Sequence, residues 1–227
     1  MKNLLLAKIA PDELAALRPH MEELTLDVGY QLIKPREPIR DMYFPTTALA
    51  SLVTVLEDGA TVEAGCVGHE GMVGMSVLLG AESTPMQTVI QIAGQIIRIK
   101  SSVVKDLYDR RRSFHDLANR YVHTLFVIAS QSAACNRKHQ LNQRLARWLL
   151  MSSDGIGSDE VGLTHEYLAA MLGVRRPGVT EAAQALQSQG LIVYKRGGVR
   201  IVDRRGLEKA ACECYQLVRG EFEKLFR

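Results

Sequence analysis

Apolar and polar positions follow two rhythms along this 227-residue chain, and the change of rhythm divides it. Near the start, Leu14, Leu17 and Met21 stand at helical spacing, so Asp12 to Leu24 reads as a short helix. The period then becomes two: Leu24, Leu26 and Val28 alternate with Thr25 and Asp27 until Gly29 breaks the run. Met42 to Pro45 reads as a short strand closed by proline, and Leu49 to Leu56 with Thr61 to Val67 flank Asp58-Gly59, a strong hairpin signal. Val89 to Ile92 and Gln95 to Ile99 flank Ala93-Gly94 in the same way and predict a second hairpin. Short strands separated by glycine-bearing turns predict a small antiparallel barrel or roll.

After about Lys100 the period is helical. Leu117, Tyr121, Leu125, Ile128, Ser132 and Cys135 recur every three or four positions and predict a helix of roughly 30 Å over 117–136. Such a seam fits pairing with its own copy across a two-fold axis, and these six residues are the expected dimer interface; packing on the chain's own barrel is the alternative. Gln140 to Met151 carries Leu141, Leu145, Trp148 and Leu149 on one face, with Trp148 expected as a core anchor. Ser152 to Asp159 reads as a loop, and Leu207, Ala211, Cys214, Val218, Phe222 and Leu225 predict one amphipathic final helix.

The most informative stretch is Leu163 to Asp203. Thr164 is a good N-cap and an expected DNA contact, Glu166 suits a first turn, and Leu168, Ala169 and Leu172 form the buried face of a short helix that Gly173 ends. A second helix opens with Pro177 in its first turn, buries Val179, Ala182, Ala183 and Leu186, and stops at Gly190. Its outward face displays Arg175, Arg176, Gly178, Thr180, Glu181 and Gln184, groups able to read base edges: Arg forks onto guanine, Glu accepts from cytosine, Thr meets a methyl group or a phosphate. Leu191 to Tyr194 and Val199 to Val202 then surround Lys195-Arg196-Gly197-Gly198, a hairpin with a basic tip that would set Lys195, Arg196 and Arg200 near phosphates. Helix, turn, helix and wing in succession predict a DNA-binding domain.

Charge supports this. From Arg137 to Arg227 there are 15 Lys/Arg against 10 Asp/Glu, whereas Met1 to Asn136 has 13 against 15. Basic groups gather where phosphates are to be met. No segment approaches the ~18 apolar residues of a membrane span, and Met1 to Leu6 is too short for a signal peptide, so a cytoplasmic protein without membrane partners is expected. Four scattered cysteines suit a reducing compartment. Cys66-x-x-His69 is expected to be structural. Cys212 and Cys214, two apart in a helical pattern, should point to different faces, so no metal or other cofactor is expected. No nucleophile elbow, phosphate-cradling loop or zinc-protease motif occurs, which argues against an enzyme.

The chain resembles the cyclic-AMP receptor protein/Fnr (Crp/Fnr) superfamily over nearly its whole length, through Tyr43-Phe44-Pro45, Gly68-His69-Glu70-Gly71-Met72-Val73-Gly74, Arg144 to Leu150, and Leu163-Thr164 through Leu191-Ile192. The resemblance implies an α+β fold: an N-terminal double-stranded β-helix or β-roll of cyclic-nucleotide-binding type (1–113), a long dimerisation helix (114–136) and a C-terminal winged helix-turn-helix (137–227). It implies a homodimer binding a two-fold symmetric site on double-stranded DNA, with RNA polymerase as a candidate further partner. The groove-entering groups would be Arg175, Arg176, Gly178, Thr180 and Glu181; Pro177 and Glu181 depart from the founding members, so the operator sequence does not carry over. The sensor departs further. Cyclic-nucleotide binders of this superfamily use a Glu for the ribose and an Arg for the phosphate, yet no Lys or Arg occurs between Arg40 and Arg98, while six acids do. An uncompensated phosphate would cost several kcal/mol to desolvate, so tight cyclic-AMP binding is not expected and the chain reads as a branch lacking that arginine. The weak effector candidates are Glu70, Met86, Gln87 and Thr88, and the effector stays unidentified. The iron–sulfur branch needs cysteines near the N-terminus, and none precedes Cys66. The competing functional class is a small-molecule-binding regulatory module without DNA function.

Overall fold

A computed structural model describes residues 3–227 except Asp58, Ala60, Thr164 and Arg196; the Asp58 turn, the Thr164 cap, the wing Arg196 and the Glu166 side chain lie outside the described residues. Two short helices, α1 (Leu4–Lys8) and α2 (Pro11–Leu17), precede seven strands: β1 (Glu22–Leu26), β2 (Gln31–Ile33), β3 (Asp41–Pro45), β4 (Leu49–Val55), β5 (Thr61–Val67), β6 (Gln87–Ile92) and β7 (Gly94–Lys100). The expected helix over 12–24 thus ends early, because the Glu22–Leu26 stretch pairs with β7, Glu22 opposite Arg98 and Leu26 opposite Gly94. Sheet partners outweigh local helical spacing there.

The roll is two antiparallel sheets, ordered β1-β7-β3 and β2-β6-β4-β5. β4 and β5 form the expected hairpin, Ala50 opposite Val67 and Val55 opposite Thr61. β6 and β7 do not form one, since they belong to different sheets. Gly94 marks the corner between them: a Cβ there would lie 2.6 Å from the Ala48 nitrogen and 2.7 Å from the Thr47 carbonyl carbon, so only glycine lets the chain cross so close to its neighbour. Between the sheets Ile33, Ala50, Val67, Ile90 and Ile96 make an apolar interior of buried side chains.

Next come α3 (Ser101–Asp109), α4 (Ser113–Lys138), α5 (Leu141–Ile156), β8 (Glu160–Val161), α6 (His165–Leu172), α7 (Arg176–Ser188), β9 (Ile192–Lys195), β10 (Gly198–Ile201), α8 (Arg204–Ala210) and α9 (Cys214–Leu225). The stretch expected as a loop over 152–159 is helical as far as Ile156, with Gly157 in the left-handed region at φ 68° closing it. Its serines face inward: Ser152 and Ser153 are buried, and Ser153 Oγ donates to Asp159 at 2.8 Å. The expected single final helix is two, because Ala211 turns extended (φ −71°, ψ 162°) and the helix restarts at Cys214. Cys212 and Cys214 therefore do not diverge from one helix; with Cys135 they form a small buried cluster.

The seam of α4 is also spoken for. Leu117, Tyr121, Leu125, Ile128, Ser132 and Cys135 are all buried within the single chain. The first four pack with Met42, Phe44 and Met72 of the roll and with Val218 and Leu225 of α9. This corrects the expected interface: the most apolar stripe of α4 is its attachment to its own chain. A second stripe faces outward, Asn119, His123, Phe126, Ser130, Ala133 and Arg137, all exposed, with Phe126 70% accessible. Its steps alternate four and three, the spacing of a coiled-coil seam.

Candidate DNA-binding face and its coupling to the roll

The α6–α7 turn is tight because Gly173 takes φ 63°, letting the Val174 N–H reach the Ala169 carbonyl at 3.0 Å. Arg175 then caps α7 in extended geometry (φ −76°, ψ 146°), and Pro177 falls in the first turn, where no N–H is needed. Val179, Ala182, Ala183 and Leu186 are buried, while Arg175, Arg176, Glu181 and Gln184 are exposed. Two of the expected reading residues have other work. Gly178 faces Leu141, whose Cδ2 would stand 3.2 Å from an added Cβ, so it sets the close approach of α7 to α5. Thr180 is half-buried and its hydroxyl donates to the Arg176 carbonyl at 3.2 Å.

The wing has three strands, since β8 pairs with β10 (Arg200 opposite Glu160), a strand that the sequence did not signal because it is only two residues long. Lys195 and Arg200 are exposed; Val199 and Ile201 face the core. The Tyr194 N–H donates to the Gln187 side chain at 2.8 Å, tying wing to α7. Basic helix start and basic hairpin are thus carried by one packed unit.

That unit shares its core with the roll. Leu49, Val53, Cys66 and Ile92 of the roll join Leu145, Trp148 and Leu149 of α5 and the inward residues of α6 and α7. Trp148 also makes a polar bond that sequence reading missed: its indole N–H donates to Glu63 of β5 at 2.9 Å. Burial raises the Glu63 carboxyl above the usual carboxylate range, against the hydrogen bonds of Ser51 and Trp148 and the charge of Arg147. A second joint forms where the loop after β5 meets α5. His69 N–H donates to the Gly155 carbonyl at 2.8 Å, and a Cβ on Gly68 would lie 2.3 to 2.5 Å from Gly155 backbone atoms. Gly71 gives room to Tyr121, whose hydroxyl donates to the Met72 carbonyl at 3.1 Å. The Gly68–Gly74 motif is thus the bearing surface between roll and helices.

Glu70, the expected ribose candidate, serves that bearing: its carboxylate accepts from the Gly68 N–H at 2.8 Å. It also lines a cavity of about 600 Å³ between roll, α5, α8 and α9, along with Met151, Asp154, Arg204 and Phe222. Met86, Gln87 and Thr88 do not contribute to that cavity. Thr88 is buried in β6, opposite Leu52 and Ile33. The four effector candidates are therefore not brought together. Cys66 is buried, and the His69 ring turns to α5 instead, its Nδ1 2.8 Å from the Gly155 carbonyl.

A β-roll, a long helix and a winged helix-turn-helix with the outward face of α7 exposed make up the molecule. Residues 143–210 match the Crp-like helix-turn-helix domain. Among curated proteins no sequence matches. Solved structures share the fold: FixK2 from Bradyrhizobium japonicum is 14% identical with a TM-score of 0.72, covering 85% of this chain and 98% of its own. The c-di-GMP responsive global regulator CLP of Xanthomonas campestris is 14% identical with a TM-score of 0.63, over 85% and 99%. A CRP-family transcriptional regulator from Thermus thermophilus is 20% identical with a TM-score of 0.65, over 83% and 96%. Residues 143–210 thus carry a Crp-like helix-turn-helix domain, and the chain as a whole shares the fold of solved Crp/Fnr-type regulators. No helix among the described residues is long and apolar enough to cross a membrane.

Proposed function

We propose that the chain acts in the cytoplasm as a homodimer that binds a two-fold symmetric operator, its units being a roll (1–113), a pairing helix (114–136) and a winged helix-turn-helix (137–227). One observation carries the reading: α7 buries small apolar residues and leaves Arg175, Arg176, Glu181 and Gln184 in the open, beside exposed Lys195 and Arg200. The Arg pair would fork onto guanine and the wing cations would meet phosphates, with half-sites about 34 Å apart. The outward stripe of α4 around Phe126 supports pairing, because an apolar ring 70% exposed between small residues suits a helix–helix seam. Cyclic AMP is not the effector in this reading: the roll interior is lined by apolar side chains, and no Lys or Arg occurs between Arg40 and Arg98.

The test is capture of genomic fragments by the full chain, followed by footprinting. A protected, inverted-repeat site is expected. A protein that protects no fragment at low salt overturns the proposal. Removing residues 164–203 distinguishes the rival class, since a regulatory module without DNA function would keep its activity.

A further inference from the structure

The end of α4, the start of α5 and the break between α8 and α9 meet at one point. Cys135 and His139 stand one helical turn apart, so both face the same way. Cys212 lies in the non-helical link and Cys214 opens α9, their sulfurs turned toward the same spot. The four ligand atoms all lie within 4.8 Å of one another. Cys135 Sγ is 3.5 Å from Cys212 Sγ, and Cys214 Sγ is 3.5 Å from His139 Nδ1. With metal–sulfur bonds of about 2.3 Å and metal–nitrogen bonds of about 2.0 Å, a tetrahedral zinc site needs sulfur–sulfur separations of roughly 3.8 Å and sulfur–nitrogen separations of roughly 3.5 Å, close to these two.

The surroundings match as well. With Nδ1 turned to the sulfurs, the other ring nitrogen of His139 is 3.2 Å from a Glu213 carboxylate oxygen, the partner that fixes tautomer and raises ligand basicity in metal-bound histidines. Gln131 Nε2 donates to Cys214 Sγ at 3.0 Å. Three thiolates and a neutral imidazole around a divalent ion leave one negative charge. The buried guanidinium of Arg147, which donates to Ser132 one turn before Cys135 at 3.0 Å, carries the opposite charge.

We propose that Cys135, His139, Cys212 and Cys214 form a Cys₃His site for a zinc-class divalent ion, which clasps the end of the long helix to the C-terminal helices. Nothing in this rests on DNA binding. The test uses the full chain, prepared reduced and stripped of metal, titrated with Co²⁺. One equivalent should produce the thiolate-to-metal charge-transfer band and intense visible absorption of a tetrahedral site, and Zn²⁺ should abolish both. C66S, outside the cluster, keeps the spectrum; C212S/C214S loses it; E213Q lowers affinity about 10- to 100-fold. Folded, reduced wild-type protein that gives no such spectrum with excess Co²⁺ overturns the proposal, whether or not the cysteine variants fold. So does an unchanged spectrum in folded C212S/C214S, or a Cys135–Cys212 disulfide that forms in place of metal uptake.

Discussion

Arg176 and Glu63 show how differently two charged residues act in this fold. Arg176 opens α7 with its side chain in solvent, so its removal costs little stability and is felt at the operator. Arg176→Ala should weaken specific binding by about 1–3 kcal/mol while leaving non-specific affinity nearly intact; equal loss on every duplex in a competition assay would assign it to a phosphate instead. Glu63 is enclosed by Ser51, Trp148 and Arg147, and its folded carboxyl titrates above its unfolded value. The folded state then holds more protons than the unfolded one, so this group's contribution to stability declines as pH rises from about 4.5, the unfolded value, through the raised one. Glu63→Gln should make that decline shallower in melts taken across this range. Glu70, raised by burial in the same direction, supplies a remainder.

At the scale of elements, what counts is which face of a helix finds a partner. The sequence of α4 carries two stripes of similar period, and hydrophobicity alone favours the inner one. That stripe packs with Phe44, Met72 and Val218, residues distant in sequence, and no local pattern announces such packing. Phe126→Glu should therefore yield a folded monomer by sedimentation with an unchanged melting temperature; a dimer that persists would place the pairing surface elsewhere. The helix-turn-helix was legible because its signals are local: Gly173, Pro177 and the spacing of Val179, Ala182, Ala183 and Leu186 need no distant information. The thiol cluster was not, because the break at Ala211 that turns Cys212 and Cys214 together follows from packing against α4. Gly68→Ala tests the bearing between roll and α5. The added methyl meets backbone that cannot swing aside, and a loss of roughly 1–3 kcal/mol is expected in denaturant unfolding.

For the molecule as a whole, the proposed wing contact predicts how binding responds to salt. Lys195→Ala should reduce the slope of log affinity against log salt by about 0.9 per monomer for each phosphate that the side chain neutralises, on any duplex. An unaltered slope would remove Lys195 from the interface. The roll and the DNA-binding unit share an unbroken apolar core, stitched by Trp148 to Glu63 and by His69 to Gly155. A swivel between them would have to uncover that core and strand an indole N–H, so the pitch of α7 relative to the roll is cast when the chain folds. A ligand that altered this molecule's shape would act less like a hand on a hinge than like a wedge driven into a seam.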